Sequence, residues 1–153
     1  MRTASAEDTE ALGRAVGAVL RPGDVVLLHG PLGAGKTVFV RGAAHALGVR
    51  ARVRSPTFVF VNLYPGDTPI VHADLFRVPD GQGAELGLED LAGPEAVTFV
   101  EWAERARARF PDDAVAVELT PDADESSMRT ITLRASGPRG ACVLAALANA
   151  EHA

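Results

Sequence analysis

The 153-residue sequence predicts an α/β fold of three layers, with a mixed central sheet that includes antiparallel strands. Three observations carry this. Residues 30–37 read Gly-Pro-Leu-Gly-Ala-Gly-Lys-Thr and match the phosphate-loop pattern G-x-x-x-x-G-K-[ST] at every fixed position. An apolar run, Val25 to Leu28, leads into that stretch and a helical pattern leaves it, the strand-loop-helix order of a P-loop NTPase. Further on, two pairs of strand-like segments are each joined by a polar turn, which implies antiparallel pairing.

The elements follow in order. Residues 5–20 read as a helix with Ser5 as N-cap and Asp8 three residues on. Leu12, Ala15, Val16, Val19 and Leu20 share its apolar face, and Arg21-Pro22-Gly23 stops it. Ser5 and Thr9 lie on an element leading into the first strand, where they could touch a nucleotide base; capping and a solvated face are the simpler explanations. In the loop, glycines let successive N–H groups point inward at phosphate oxygens. The helix N-terminus adds partial positive charge. Lys36 can reach the outer phosphates, and the Thr37 hydroxyl can ligate Mg²⁺. Lys36 is the sole lysine among 15 basic side chains.

Residues 38–47 form the second helix, with Gly48 as a natural stop. Arg50, Arg52 and Arg54 fall on one side if their segment is extended. That side is either a solvated edge or a basic strip facing protein or RNA. Pro56 fixes Ser55-Pro56-Thr57 as a turn. Residues 58–64 and 70–76 read as antiparallel neighbours joined at Pro65-Gly66-Asp67. Residues 81–93 are Gly-rich and acidic, with Leu86, Leu88 and Leu91 as anchors; a mobile segment with one short helix around residues 88–91 is expected. Residues 96–100 form a short buried strand ending in Glu101-Trp102, and a helix follows over 103–109. Residues 114–119 and 128–133 form a hairpin, and a last helix covers residues 140–150.

Composition sets bounds. The length suits a single domain, 1–153, with its last few residues disordered. A net charge of −5 argues against a general nucleic-acid binder. Cys142 is alone, so no intrachain disulfide forms. No apolar run approaches a membrane span and the N-terminus is polar and acidic, so a cytoplasmic chain without membrane association is expected.

A P-loop that handles a magnesium nucleotide needs a carboxylate at the end of an apolar strand beside the loop strand. Asp74 and Glu101 both qualify, and spacing alone does not choose. The strand before Glu101 is the more apolar and comes later, as a crossover-connected neighbour would. Asp74 lies with His72 and Arg77 in a stretch that suits a switch sensing the γ-phosphate. With one lysine in the chain, no Asn/Thr-Lys-x-Asp guanine motif exists, which favours ATP.

Several motifs now stand in order: the 30–37 loop, Ser-Pro-Thr at 55–57, His-x-Asp-Leu-Phe-Arg at 72–77, Glu-Leu-Gly-Leu-Glu-Asp at 85–90 and Val-Glu-Trp at 100–102. Together they resemble the TsaE family of ATPases, which act in bacterial tRNA threonylcarbamoyladenosine biosynthesis. The resemblance spans the first helix to the second strand of the late hairpin. It implies that ATP binds at Gly33, Ala34, Gly35, Lys36, Thr37 and Val38, and that Thr37 and Glu101 hold Mg²⁺. It implies switch roles for Thr57 and Asp74, a Trp102 close to the metal, and a nucleotide contact from Arg129. Phe76 departs from a frequent Tyr but keeps the ring. The implied cycle is docking of ATP-loaded protein onto two sugar-kinase-like proteins that modify tRNA, followed by hydrolysis to ADP and reset; tRNA is met through that complex. The competing readings are a small-molecule kinase, against which the arginine-free acidic segment counts, and a nucleotide-binding module without useful hydrolysis.

Overall fold

The computed structural model describes residues 1–80 and 82–151. Its centre is one seven-stranded sheet: β1 (Arg2–Thr3), β2 (Val25–His29), β3 (Val61–Tyr64), β4 (Ile70–Asp74), β5 (Val97–Glu101), β6 (Ala114–Pro121) and β7 (Arg129–Ser136). The order is β1-β7-β6-β2-β5-β4-β3. Strands β6, β2, β5 and β4 run parallel, and β3, β7 and β1 add antiparallel edges. Every residue of β4 and β5 is buried, as parallel strands covered on both faces require.

The covering layers are unequal. Helices α1 (Ala6–Gly17), α2 (Lys36–Ala46) and, after the short α3 (Leu88–Leu91), α4 (Pro138–Glu151) supply the remaining apolar faces. Leu12, Val16, Phe39, Val40, Ala43 and Val143 join Val26, Leu28, Phe99 and Val117 in one core. Leu75, Leu88, Ala103 and Phe110 join Val25, Leu27 and Val100 in the other. The three-layer, mixed-sheet expectation therefore holds.

Two contacts fix the helices that bear on the loop. At Gly42 of α2, an added Cβ would stand 2.0 Å from the Glu10 carbonyl oxygen of α1, so the two backbones meet where no side chain fits. At the other end of the sheet, Arg139 donates to both Asp24 oxygens at 2.8 and 2.7 Å, and Asp113 accepts the Arg139 and Gly140 N–H groups at the start of α4. The hydrogen bonds to Asp24 raise the Arg139 guanidinium above its usual pKa.

Some boundaries differ from the sequence reading. Strand β1 is too short for any periodic signal, and it pairs only because Arg2 and Thr3 meet Thr130 and Arg129. Helix α1 stops at Gly17 rather than residue 20, and α2 begins at Lys36 rather than 38. The expected strand over 58–64 starts only at Val61. Pro56 accepts the N–H groups of Val59 and Phe60, Phe60 turns left-handed at φ 66°, and Phe58 and Val59 stand exposed. Strand β4 ends at Asp74, whose carboxylate accepts the Phe76 N–H at 2.9 Å. Arg50, Arg52 and Arg54 are exposed on a segment of no regular structure, while Val49 and Val53 beside them are buried. Residues Ala103–Arg109 form a 3₁₀ helix kinked at Ala106. In the acidic segment, Gly83–Leu86 is a 3₁₀ turn before α3; Gly81, the side chain of Leu91, His152 and Ala153 lie outside the described residues.

The Gly42 contact sets two effects against each other. Alanine in a helix interior gains about 1 kcal/mol over glycine, whereas forcing a methyl into backbone costs roughly 1–3 kcal/mol. With 2.0 Å available, the clash wins, and Gly42→Ala lowers the chemical-denaturation midpoint. An unchanged or raised midpoint would contradict the close α1–α2 contact.

Candidate functional site

Strand β2 delivers the chain to the loop, and α2 carries it away from Lys36. Positive φ values at Gly30, Gly33 and Gly35 (145°, 76° and 103°) let the backbone wrap between them. A side chain at Gly30 would meet the Leu119 carbonyl oxygen at 2.5 Å. Parallel pairing puts Leu28 opposite Glu101, and Glu101 opposite Asp74. The carboxyl ends of β2, β5 and β4 thus open on one crevice, where ligands of open α/β sheets bind.

The side chains there form a connected set. Thr37 Oγ1 donates to Glu101 Oε1 at 2.7 Å, and His72 Nε2 lies 2.8 Å from the same oxygen. Thr57 Oγ1 donates to Asp74 Oδ2 at 2.7 Å, and Ser55 Oγ reaches that oxygen at 3.3 Å. Lys36 Nζ donates to the Gly30 and Pro31 carbonyls at 2.6 and 2.9 Å and sits 4.6 Å from the centroid of the Trp102 ring. Trp102 takes φ 57° at the end of β5, and its ring meets Phe76 at 5.1 Å. Burial lowers the Lys36 pKa, against the opposing pull of Glu101, Asp74 and Glu104. A nearby anion would therefore relieve an unfavourable burial.

Lys36, Thr37, Ser55, Thr57, Asp74, Glu101 and Trp102 line a cleft of about 270 Å³ with Gly33, Ala34, Gly35 and Val38 of the loop and helix. A larger cleft of about 820 Å³, beside His45, Arg50 and Asp67, contains none of the expected site residues. The structure brings together both candidate acids, the turn threonine and the loop. The stretch with His72 and Asp74, polar for a core strand, is a fully buried inner strand. His72 Nε2 faces the Glu101 carboxylate of the neighbouring strand, and Asp74 accepts from Thr57, Ser55 and the Phe76 N–H, which is why both can be buried.

Thr9 and Arg129 lie on the flank of the loop rather than in the cleft. Thr9 is fully buried, and Arg129 Nη1 donates to its hydroxyl at 3.2 Å. A Cβ at Gly35 would stand 3.6 Å from Thr9 and 3.7 Å from Arg129 Nη1. Ser5 caps α1 by accepting the Asp8 N–H at 3.0 Å, as expected. Sequence reading placed His72 in the switch stretch without a partner of its own, and gave no role to the Ser55 hydroxyl. Period-two spacing of His72 and Asp74 puts both on one side of β4, which was the available signal.

Comparison with known proteins bears on this geometry. The protein-family model described as threonylcarbamoyl adenosine biosynthesis protein TsaE matches residues 3–131. A Bacillus subtilis protein named tRNA threonylcarbamoyladenosine biosynthesis protein TsaE is 37% identical over 90% of this chain and 86% of its own. A Treponema pallidum protein of the same name is 35% identical over 83% of this chain and 95% of its own. The crystal structure of Bacillus subtilis YdiB superposes with a TM-score of 0.86 at 32% identity, covering 99% of this chain and 94% of that one. A family match along most of the chain, joined to a fold shared nearly end to end, means that this chain belongs to the TsaE family.

Proposed function

We propose that this protein is the ATP-binding and hydrolysing component of the bacterial complex that forms N6-threonylcarbamoyladenosine beside the anticodon of tRNA. The observation that carries the reading is the convergence of Lys36, Thr37, Glu101, Asp74 and Thr57 on one cleft above a phosphate loop. The names of the relatives supply the process; the cleft supplies the chemistry.

Loop N–H groups from Gly33 to Val38 and the Lys36 ammonium bind the phosphates of ATP, and of ADP after cleavage. The donor set fits Mg²⁺: a hydroxyl and a carboxylate, both hard oxygen ligands, are already within one hydrogen bond of each other. Such an ion is held jointly by protein oxygens and nucleotide phosphates rather than by a cage of protein ligands. Thr37 and Glu101 would hold it, and when bound it supplies charge neutralisation on the transferred phosphate. Asp74 holds the Thr57 hydroxyl at the mouth of the cleft, the position of a switch that orients water or reports the γ-phosphate. Thr9 and Arg129 stand beside Gly35, on the flank from which they would contact the nucleotide. Among the described residues, no arginine lines the cleft. Hydrolysis by the chain alone is therefore slow, and two sugar-kinase-like partner proteins complete or order the site. The role is cytoplasmic; no described helix is long and apolar enough to cross a membrane.

Reconstituted multi-turnover tRNA modification, with the partner proteins, tRNA, ATP and the activated threonyl intermediate, falls about 100-fold with Lys36→Ala, the scale of losing one charge-stabilising donor. Indifference to this change, or robust phosphoryl transfer to small acceptors by the chain alone, would contradict the reading. Thr57→Ala and Asp74→Asn separate binding from turnover: ATP affinity stays within about 3-fold, while hydrolysis drops by about 100-fold. Equal losses in both would place these residues in binding instead.

A further inference from the structure

We infer that His72 is a positioning residue that orients the Glu101 carboxylate toward the divalent cation. The inference rests on the reading of the cleft as a magnesium-nucleotide site and adds a residue to it. His72 stands in the middle of β4, opposite Phe99 of β5, and is fully buried. Its Nε2 lies 2.8 Å from Glu101 Oε1, and that oxygen also accepts the Thr37 hydroxyl at 2.7 Å. The two anchors differ in kind. Thr37 belongs to the loop helix and its oxygen is wanted by the cation. His72 is set in an inner strand and is not among the residues that line the cleft. It therefore holds Oε1 while Thr37 turns its lone pair to the ion, and leaves Oε2 with one orientation.

The other ring nitrogen sharpens the point. Among the described residues Nδ1 has no hydrogen-bond partner, although it is buried. A side chain kept only for packing would be better served by an apolar residue, since an unmet buried polar atom costs about 1–3 kcal/mol. The one bond that His72 does make goes to the carboxylate, so its contribution is the direction of Glu101. Groups that orient a metal-binding side chain typically affect metal affinity by about 10–100-fold.

The test uses the full chain, ADP and MgCl₂. Calorimetric titration with ADP, with and without Mg²⁺, gives the metal-dependent gain in affinity. In His72→Leu, metal-free ADP affinity stays near wild type, the gain on adding Mg²⁺ falls about 10-fold, and the apparent KM for Mg²⁺ in hydrolysis rises by a similar factor. kcat at saturating Mg²⁺ changes much less. His72→Gln, whose amide nitrogen reaches the place of Nε2, restores the gain; His72→Asn, with a shorter reach, does not. The Asn and Gln pair keeps the comparison decisive should the Leu variant fail to fold. A full Mg²⁺ gain in His72→Leu or His72→Asn, or no recovery with Gln, would overturn the role of His72. Absence of any Mg²⁺ gain in wild type would overturn the cleft reading itself, and the inference with it.

Discussion

The hydrogen bond from Thr37 Oγ1 to Glu101 Oε1, at 2.7 Å, ties the phosphate loop to the neighbouring inner strand. Much of the structure serves to make that bond possible. Parallel β2 and β5 must be in register so that Glu101 ends level with Leu28, and the Trp102 N–H continues the pairing to the Leu28 carbonyl at 3.2 Å. Helix α2 must start at the correct height, which its backbone contact with α1 at Gly42 secures. A shift of one residue in the sheet register would send the carboxylate to the opposite face.

The site concentrates buried polarity in one place. Lys36, His72, Asp74 and Glu101 are each at most 4% exposed. Such a group of charges is costly unless paired. The acids draw on Thr37, His72, Thr57 and Ser55, and Lys36 turns to loop carbonyls and the face of Trp102. Left-handed backbone at Trp102, in the cleft, and at Phe60, after the 55–57 turn, adds local strain. Donors held in place before a ligand arrives need little reorganisation when charge develops, which is how such sites stabilise reacting phosphates.

The parts of this arrangement written in local spacing could be read from the sequence. The loop motif, the apolar runs ahead of both acids and the turn-linked strand pairs all have periods or fixed offsets. Other parts depend on contacts between distant segments. His72 meets Glu101 across 29 residues, and Arg139 meets Asp24 across 115; nothing near either residue announces the partner. Phe58 and Val59 alternate as strand residues do, but Pro56 and the left-handed Phe60 bend the chain into a turn that brings Thr57 to Asp74. There, tertiary need overrode local propensity. Thr9 and Arg129 flank the loop only because the edge strands β1 and β7 pair beside α1, and β1 is too short to be legible.

The central claim is that Thr37 and Glu101 act as one unit on one cation. A double-mutant cycle with Thr37→Ala and Glu101→Gln, reading the Mg²⁺-dependent part of ADP affinity, addresses it directly. Strong coupling is expected: each single change removes most of the metal-dependent gain, the double variant loses little more, and the interaction exceeds about 1 kcal/mol. Losses that add to within about 0.5 kcal/mol would show two independent groups and contradict the account.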